Sequence, residues 1–105
     1  MLKMLDVKAV DAFADSIMAE VKRRVPSETI PMDLDKKSAR KLSRMTDVVS
    51  DQVRAFARSN RLNIYKRARL GNRVKWGLRE LGYPAAFADA FSYELVKLVT
   101  LAARA

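Results

Sequence analysis

The chain contains neither cysteine nor histidine. The missing cysteine excludes disulfide bonds, thiolate metal ligands and a cysteine nucleophile. The missing histidine excludes imidazole metal ligands and the commonest general acid or base. A chain without cysteine also fits the reducing cytoplasm, where we expect the protein to be.

Long apolar runs and glycine-rich loops are also missing. The most apolar stretch, residues 95–103, is interrupted by Lys97 and Thr100, whereas a membrane span needs about 20 predominantly apolar residues. The apolar segment at the start of the chain is too short for a signal peptide, since Asp6 interrupts it. Glycine occurs only three times, and no phosphate-binding glycine loop is present. We therefore expect no membrane association and no nucleotide-binding loop.

What the chain does have is 105 residues, of which 50% are hydrophobic, enough for one domain with one core. Apolar residues recur at spacings of three and four, and no segment alternates with the period of two that strands require. The pattern predicts an all-α fold in which four helices form a bundle or an orthogonal cluster. The expected helices cover about residues 6–24, 34–59, 63–81 and 84–103 of a single domain spanning 1–105.

The ends of these helices carry recognisable signals. Pro26 ends the first helix, Asp33 or Asp35 can cap the second, and Asn60 is expected to stop it in left-handed geometry. Asn63 can cap the third helix, Gly82 fits the position just past its end, and Pro84 suits the first turn of the fourth. The predicted core contains Phe13, Ile17, Val21, Leu42, Val49, Phe56, Val74, Leu78, Phe87, Phe91, Leu95 and Leu98. The third helix should also turn Ile64, Ala68, Gly71 and Leu81 inward.

Two features predict close or additional packing. Gly71 and Gly77 lie inside the third helix, where each costs about 1 kcal/mol relative to alanine, so a neighbouring helix is expected to approach closely there. The fourth helix is apolar over about half its circumference, and Leu95, Val99 and Leu101 lie on that face. It is therefore either the central helix of the domain or the contact surface of a homodimer.

Catalytic patterns are weak. Ser38 and Lys41 match a Ser-x-x-Lys motif, but the companion motifs are missing. A calcium loop starting at Asp33 lacks the required glycine and the final glutamate. The carboxylate pairs Asp11–Asp15 and Asp47–Asp51 are interpreted as solvated helix faces. We expect no enzymatic activity, no catalytic residue, no metal ligand and no cofactor.

The excess positive charge is confined to the middle of the chain. The net charge is +9, with 21 basic and 12 acidic residues. Residues 1–32 and 83–105 are each neutral overall, whereas residues 33–82 carry the whole excess. Localised basic charge is typical of a surface that binds a polyanion.

The second helix begins with a dense basic cluster. Like charges one helical turn apart repel, and cations are unfavourable near the positive end of the helix dipole. A bound phosphate would relieve both effects. The candidate phosphate-contacting residues of this helix are Lys36, Lys37, Arg40, Lys41 and Arg44.

The outward face of the third helix combines aromatic, amide and basic side chains. Such a composition suits nucleic acid, because Arg and Lys bind phosphate, Asn can read adenine and aromatic rings stack on unpaired bases. Packing of the tryptophan against another helix, or a protein interface, would explain the same pattern. The candidate residues here are Arg61, Tyr65, Lys66, Arg69, Asn72, Arg73 and Trp76.

The sequence thus favours a small basic protein that binds nucleic acid, DNA or RNA, or has a regulatory role, with phosphate contacts from the second and third helices. The alternative is a protein-interaction or assembly module, which would bind an acidic protein partner or form a homodimer through the fourth helix. No helix-turn-helix reader is predicted, because the best turn, at residues 82–84, precedes a helix whose first turns lack basic residues.

Overall fold

A computed structural model describes residues 7–104, which fold into four α-helices. These are α1 (Lys8–Arg24), α2 (Lys36–Ser59), α3 (Ile64–Glu80) and α4 (Ala85–Arg104), and a short 3-10 turn (Ser27–Thr29) follows α1. The all-α four-helix prediction is confirmed, and every helix boundary within the described residues lies within two residues of its predicted position. The expected start of the first helix at residue 6 lies outside the described residues.

The helices form a bundle in which α4 packs against both α2 and α3, while α1 packs against α3 and more lightly against α2. Side-chain pairs between α1 and α3 keep a constant separation of 58 residues, so these two helices run side by side in the same direction. The bundle measures 43 × 25 × 20 Å. One end of it therefore gathers the end of α1, the start of α2 and the end of α3.

Capping fixes the helix ends largely as the sequence indicates. Asp35 accepts a hydrogen bond from the Ser38 backbone N–H at 2.8 Å, and Asn63 accepts one from the Lys66 N–H at 2.8 Å. The prediction for Asn60 was wrong, because its backbone is extended (φ −136°) and its side-chain amide donates to the Phe56 carbonyl instead. A side-chain donor thus satisfies a terminal carbonyl without a left-handed residue.

The end of α3 is a Schellman turn. Gly82 has a φ of +100°, a backbone conformation that favours glycine because a residue without a Cβ adopts it without steric conflict. The N–H of Tyr83 donates to the Leu78 carbonyl and that of Gly82 to the Arg79 carbonyl, both at 3.0 Å. Tyr83 is itself buried, and its hydroxyl donates to the carbonyl of Val25, which ties the end of α3 to the end of α1.

Most of the predicted core residues are buried, with a few exceptions. Phe13, Phe56 and Leu98 are half-buried rather than central, and the first two stack with ring centroids 4.2 Å apart, joining α1 to α2. The inward prediction for Ile64, Ala68 and Leu81 was wrong. Ile64 and Leu81 are exposed because they lie in the first turn and at the end of α3, and Ala68 is exposed as well. Leu70, 1% exposed, packs in the core instead.

The two glycines of α3 lie at close helix contacts, as predicted. A Cβ at Gly71 would lie 2.5 Å from Cγ2 of Val96 on α4, and one at Gly77 would collide with Sδ of Met18 on α1. Each glycine thus lets a neighbouring helix approach α3. Gly77 also leaves the Met18 thioether bordering the space between α1 and α3.

The wide apolar face of α4 is largely used within the chain. Leu95 and Val99 are buried between α2 and α3, whereas Leu101 is 58% exposed. Because α4 is the central helix, most of the surface that motivates a homodimer is covered by the protein's own helices. Within residues 7–104, none of the helices combines the length and apolar character needed to cross a membrane.

Candidate nucleic-acid interface

The candidate residues from the sequence form two main surfaces rather than one. Five of them lie at the start of α2, and we call this set the α2 patch: Lys36, Lys37, Arg40, Lys41 and Arg44. Five others line a groove of about 630 Å³ between α1 and α3, and we call it the Trp76 groove: Tyr65, Arg69, Asn72, Arg73 and Trp76. No α2 residue lines this groove, so α1 separates it from the α2 patch.

The remaining two candidates, Arg61 and Lys66, lie apart from the α2 patch. The 24 residues of α2 span about 36 Å at 1.5 Å per residue, and Arg61 follows their far end. The ammonium group of Lys66 donates to the Arg61 carbonyl at 3.4 Å, so these two residues contact each other at the start of α3. One continuous surface containing all twelve candidates is therefore not what the fold produces.

The α2 patch is exposed and forms no ion pairs with the described residues. Four of its residues are exposed, and Lys41 is half-buried. Across residues 7–104, no carboxylate lies within 4.0 Å of any of its five cationic groups. These five cations therefore form no ion pair within that range. A nearby counter-charge is Asp35, whose pKa is lowered by the hydrogen bonds from Ser38 and, to a smaller extent, by the charge of Lys37.

A second groove, which we call the α1–α2 groove, borders the patch. It has a volume of about 410 Å³. Arg24, Lys41 and Arg44 lie at its rim, and its apolar lining includes Val25 and Met45. The ammonium group of Lys41 donates to the Thr29 carbonyl at 3.4 Å, which fixes the loop after α1 against α2. Positive charge therefore continues from α2 onto the end of α1.

The Trp76 groove is chemically different, because its arginines are already paired. Arg69 makes two hydrogen bonds to the Asp11 carboxylate at 2.9 and 3.0 Å, and Arg73 makes two to Asp15 at 3.3 and 3.4 Å. The hydrogen bonds from Arg69 lower the pKa of Asp11 and, together with Tyr65, raise the pKa of Arg69. The prediction of a solvated face holds for Asp15, whose side chain is 57% exposed, but not for the half-buried Asp11. It also missed that α3 presents an arginine to each carboxylate.

The aromatic residues of this groove remain accessible. Trp76 is 53% exposed and Tyr65 is 49% exposed. Lys75 and Arg79 lie over the indole ring, with Nζ and Cζ at 5.1 and 4.9 Å from its centroid. Packing of Trp76 against another helix therefore accounts for less than half of its surface, because Lys75 and Arg79 of α3 itself cover part of the ring.

The structure also brings in residues that the sequence analysis did not select. Asp11 and Asp15 neutralise the arginines of α3, and Met18 lines the groove beside Gly77. The sequence contained a signal for the first two, because acidic residues four apart on one helix match arginines four apart on another. Within the described part of the chain, no group of three or more Asp and Glu residues could hold a metal ion.

The charge distribution separates the two surfaces by chemistry. The α2 patch offers unpaired cations, which suit phosphate groups. The Trp76 groove offers exposed rings beside a balanced set of charges, which suits a flat apolar group. No family model matches the chain, and no curated protein or solved structure is significantly similar to it.

Proposed function

We propose that the protein binds nucleic acid through the α2 patch, by electrostatic contacts with phosphate groups and without catalysis. The observation that carries this proposal is the set of five cations that lack any carboxylate partner within 4.0 Å among residues 7–104. A bound polyanion relieves the mutual repulsion of the five cations and the unfavourable position of Lys36 and Lys37 in the first turn of α2, at the positive end of its dipole.

The α3 arginines make a smaller contribution in this proposal than their number suggests. Arg69 and Arg73 already face Asp11 and Asp15, so a phosphate would have to compete with a bidentate carboxylate. Five phosphate contacts from the α2 patch remain. They give an expected log–log salt slope of about −4.5 on duplex DNA and about −3.5 on a single strand.

The experiment is fluorescence anisotropy of labelled oligonucleotides over a salt series starting near 50 mM, where counterion release favours binding most. Arg40→Ala and Arg44→Ala should each weaken binding to every sequence and flatten the duplex slope by about 0.9. The matched control is Arg54→Ala, which removes the same charge from an exposed arginine further along α2 that pairs with Asp51.

Equal losses in the control and in the two patch variants would show that only net charge matters, and the patch assignment would then be wrong. Absence of binding to duplex and single strand near 50 mM salt would reject nucleic acid as the ligand. In that case an acidic protein surface becomes the better candidate, because it would use the same unpaired cations.

A further inference from the structure

The Trp76 groove has a role that phosphate binding by α2 does not explain. Exposed apolar side chains that share one groove mark a ligand-binding surface better than scattered ones do, and both Trp76 and Tyr65 line this groove. Trp76 and Tyr65 lie three helical turns apart along α3, both beside α1. The ligand of this groove should therefore be flat and largely apolar.

The charges that line the groove argue against a phosphate as its main occupant. The charged lining residues are Arg69, Arg73, Asp15 and Glu80, which sum to zero. Lys75 is held on the α4 side by Asp89, with Nζ 3.7 Å from the carboxylate. Arg79, one turn later, follows the same side of α3. Trp76 lines the groove and stays 53% exposed with these two cations beside it, so part of its ring is accessible to a ligand.

Basic side chains at the end of α1 lie between the Trp76 groove and the α2 patch. The last turn of α1 consists of Lys22, Arg23 and Arg24, all exposed. Arg23 and Arg24 share the Glu20 carboxylate, so the turn and Glu20 together keep a net charge of +2. Lys22 forms no ion pair with the described residues. At 100° per residue the three basic side chains fan around the helix. Lys22 lies one turn beyond Met18 of the Trp76 groove, while Arg24 lines the α1–α2 groove.

We infer that the preferred ligand is single-stranded nucleic acid, whose backbone runs from the α2 patch across the last turn of α1 and whose unpaired base stacks on Trp76. This inference rests on the proposed function and adds the strandedness of the ligand. A duplex keeps its bases paired and stacked, so only a single strand can fill the groove and follow the cations at the same time.

Trp76 is the only tryptophan of the chain, so its emission reports on the groove directly. Titration with a short oligothymidylate should quench this emission, and a duplex of the same length should bind without quenching it. Trp76→Leu should weaken single-strand binding by about 5- to 150-fold, which corresponds to the stacking of one base, and leave duplex binding unchanged. Trp76→Phe should restore much of the single-strand affinity, because a ring is retained.

The matched control is Tyr93→Leu, which removes an exposed ring of α4 that also carries a lysine over its face and does not line the groove. It should bind both ligands as the unmodified chain does. Lys22→Ala should flatten the single-strand salt slope by about 0.7, the value for one contact. An unchanged slope would remove the path across α1 from the proposal.

The outcomes separate this inference from the proposed function. If both ligands bind but neither changes the emission, and Trp76→Leu binds both normally, the α2 patch stands and the groove assignment is wrong. If Trp76→Leu loses duplex and single-strand affinity equally, the ring acts through packing, and the inference is again overturned. If neither ligand binds at low salt, the proposed function itself fails.

Discussion

Removing the carboxylates that neutralise the α3 arginines should strengthen nucleic-acid binding. The variant combines Asp11→Asn with Asp15→Asn and thereby frees Arg69 and Arg73 beside the Trp76 groove. Deleting two negative charges raises the net charge from +9 to +11. The freed guanidinium groups can then bind the phosphates on either side of a stacked base.

The size of the effect follows from the number of phosphate groups that the freed arginines neutralise. Two additional phosphates steepen the single-strand salt slope by about 1.4, at about 0.7 for each. Over a fourfold change in salt, the ratio of the variant's affinity to that of the unmodified chain should therefore change by about sevenfold. The increase in affinity is largest at the lowest salt.

The assay is the same anisotropy titration, performed on both chains in parallel. The control combines Asp47→Asn with Glu94→Gln, which changes the net charge equally but lies on α2 and α4, away from the α1–α3 pairs. A thermal melt should show that both variants remain folded, because partly exposed ion pairs contribute little to stability. A slope equal to that of the unmodified chain would refute the reasoning, since the freed arginines would then not face the ligand.

Three further predictions concern stability. Tyr83→Phe leaves the Val25 carbonyl without its hydroxyl donor and should cost about 1 kcal/mol at neutral pH. Burial raises the pKa of Tyr83 from 10.0 to about 12, so the Tyr83 hydroxyl ionises at a lower pH in the unfolded chain than in the folded protein. The unmodified protein should thus lose stability as the pH rises through this range, and urea unfolding should show a smaller alkaline loss in the variant. Gly71→Ala should lower the free energy of unfolding by about 1 to 2 kcal/mol, because the stiff Val96 side chain cannot move away from the new Cβ. Gly77→Ala should be nearly neutral, because the flexible Met18 side chain can move. Equal losses of the two variants in urea unfolding would contradict this contrast. Asn63→Ala should cost about 1 kcal/mol by removing the cap of α3, and an unchanged melting temperature would show that the cap is dispensable.

The position of α4 illustrates what the apolar face of a helix can and cannot predict. Its apolar width indicated either a central helix or a dimer contact, and the sequence could not choose between them. The structure shows α2 and α3 packed on it, so two neighbours inside the chain cover Leu95 and Val99. Which helices become neighbours depends on how the apolar faces of all four helices pack together, so it cannot be predicted from the apolar face of one helix.

The four helices could be predicted from the sequence, because the apolar period, the caps at Asp35 and Asn63 and the turn at Gly82 act within a few residues of each other along the chain. The location of the excess charge could be predicted as well. Which of those charges are free depends on tertiary packing. Arg69 and Arg44 look alike in the sequence, but α1 places Asp11 against Arg69, and Arg44 has no such partner among residues 7–104. An electrostatic surface depends on charges that lie close in space, and Asp11 and Arg69, which the helices bring together, are 58 residues apart in the chain.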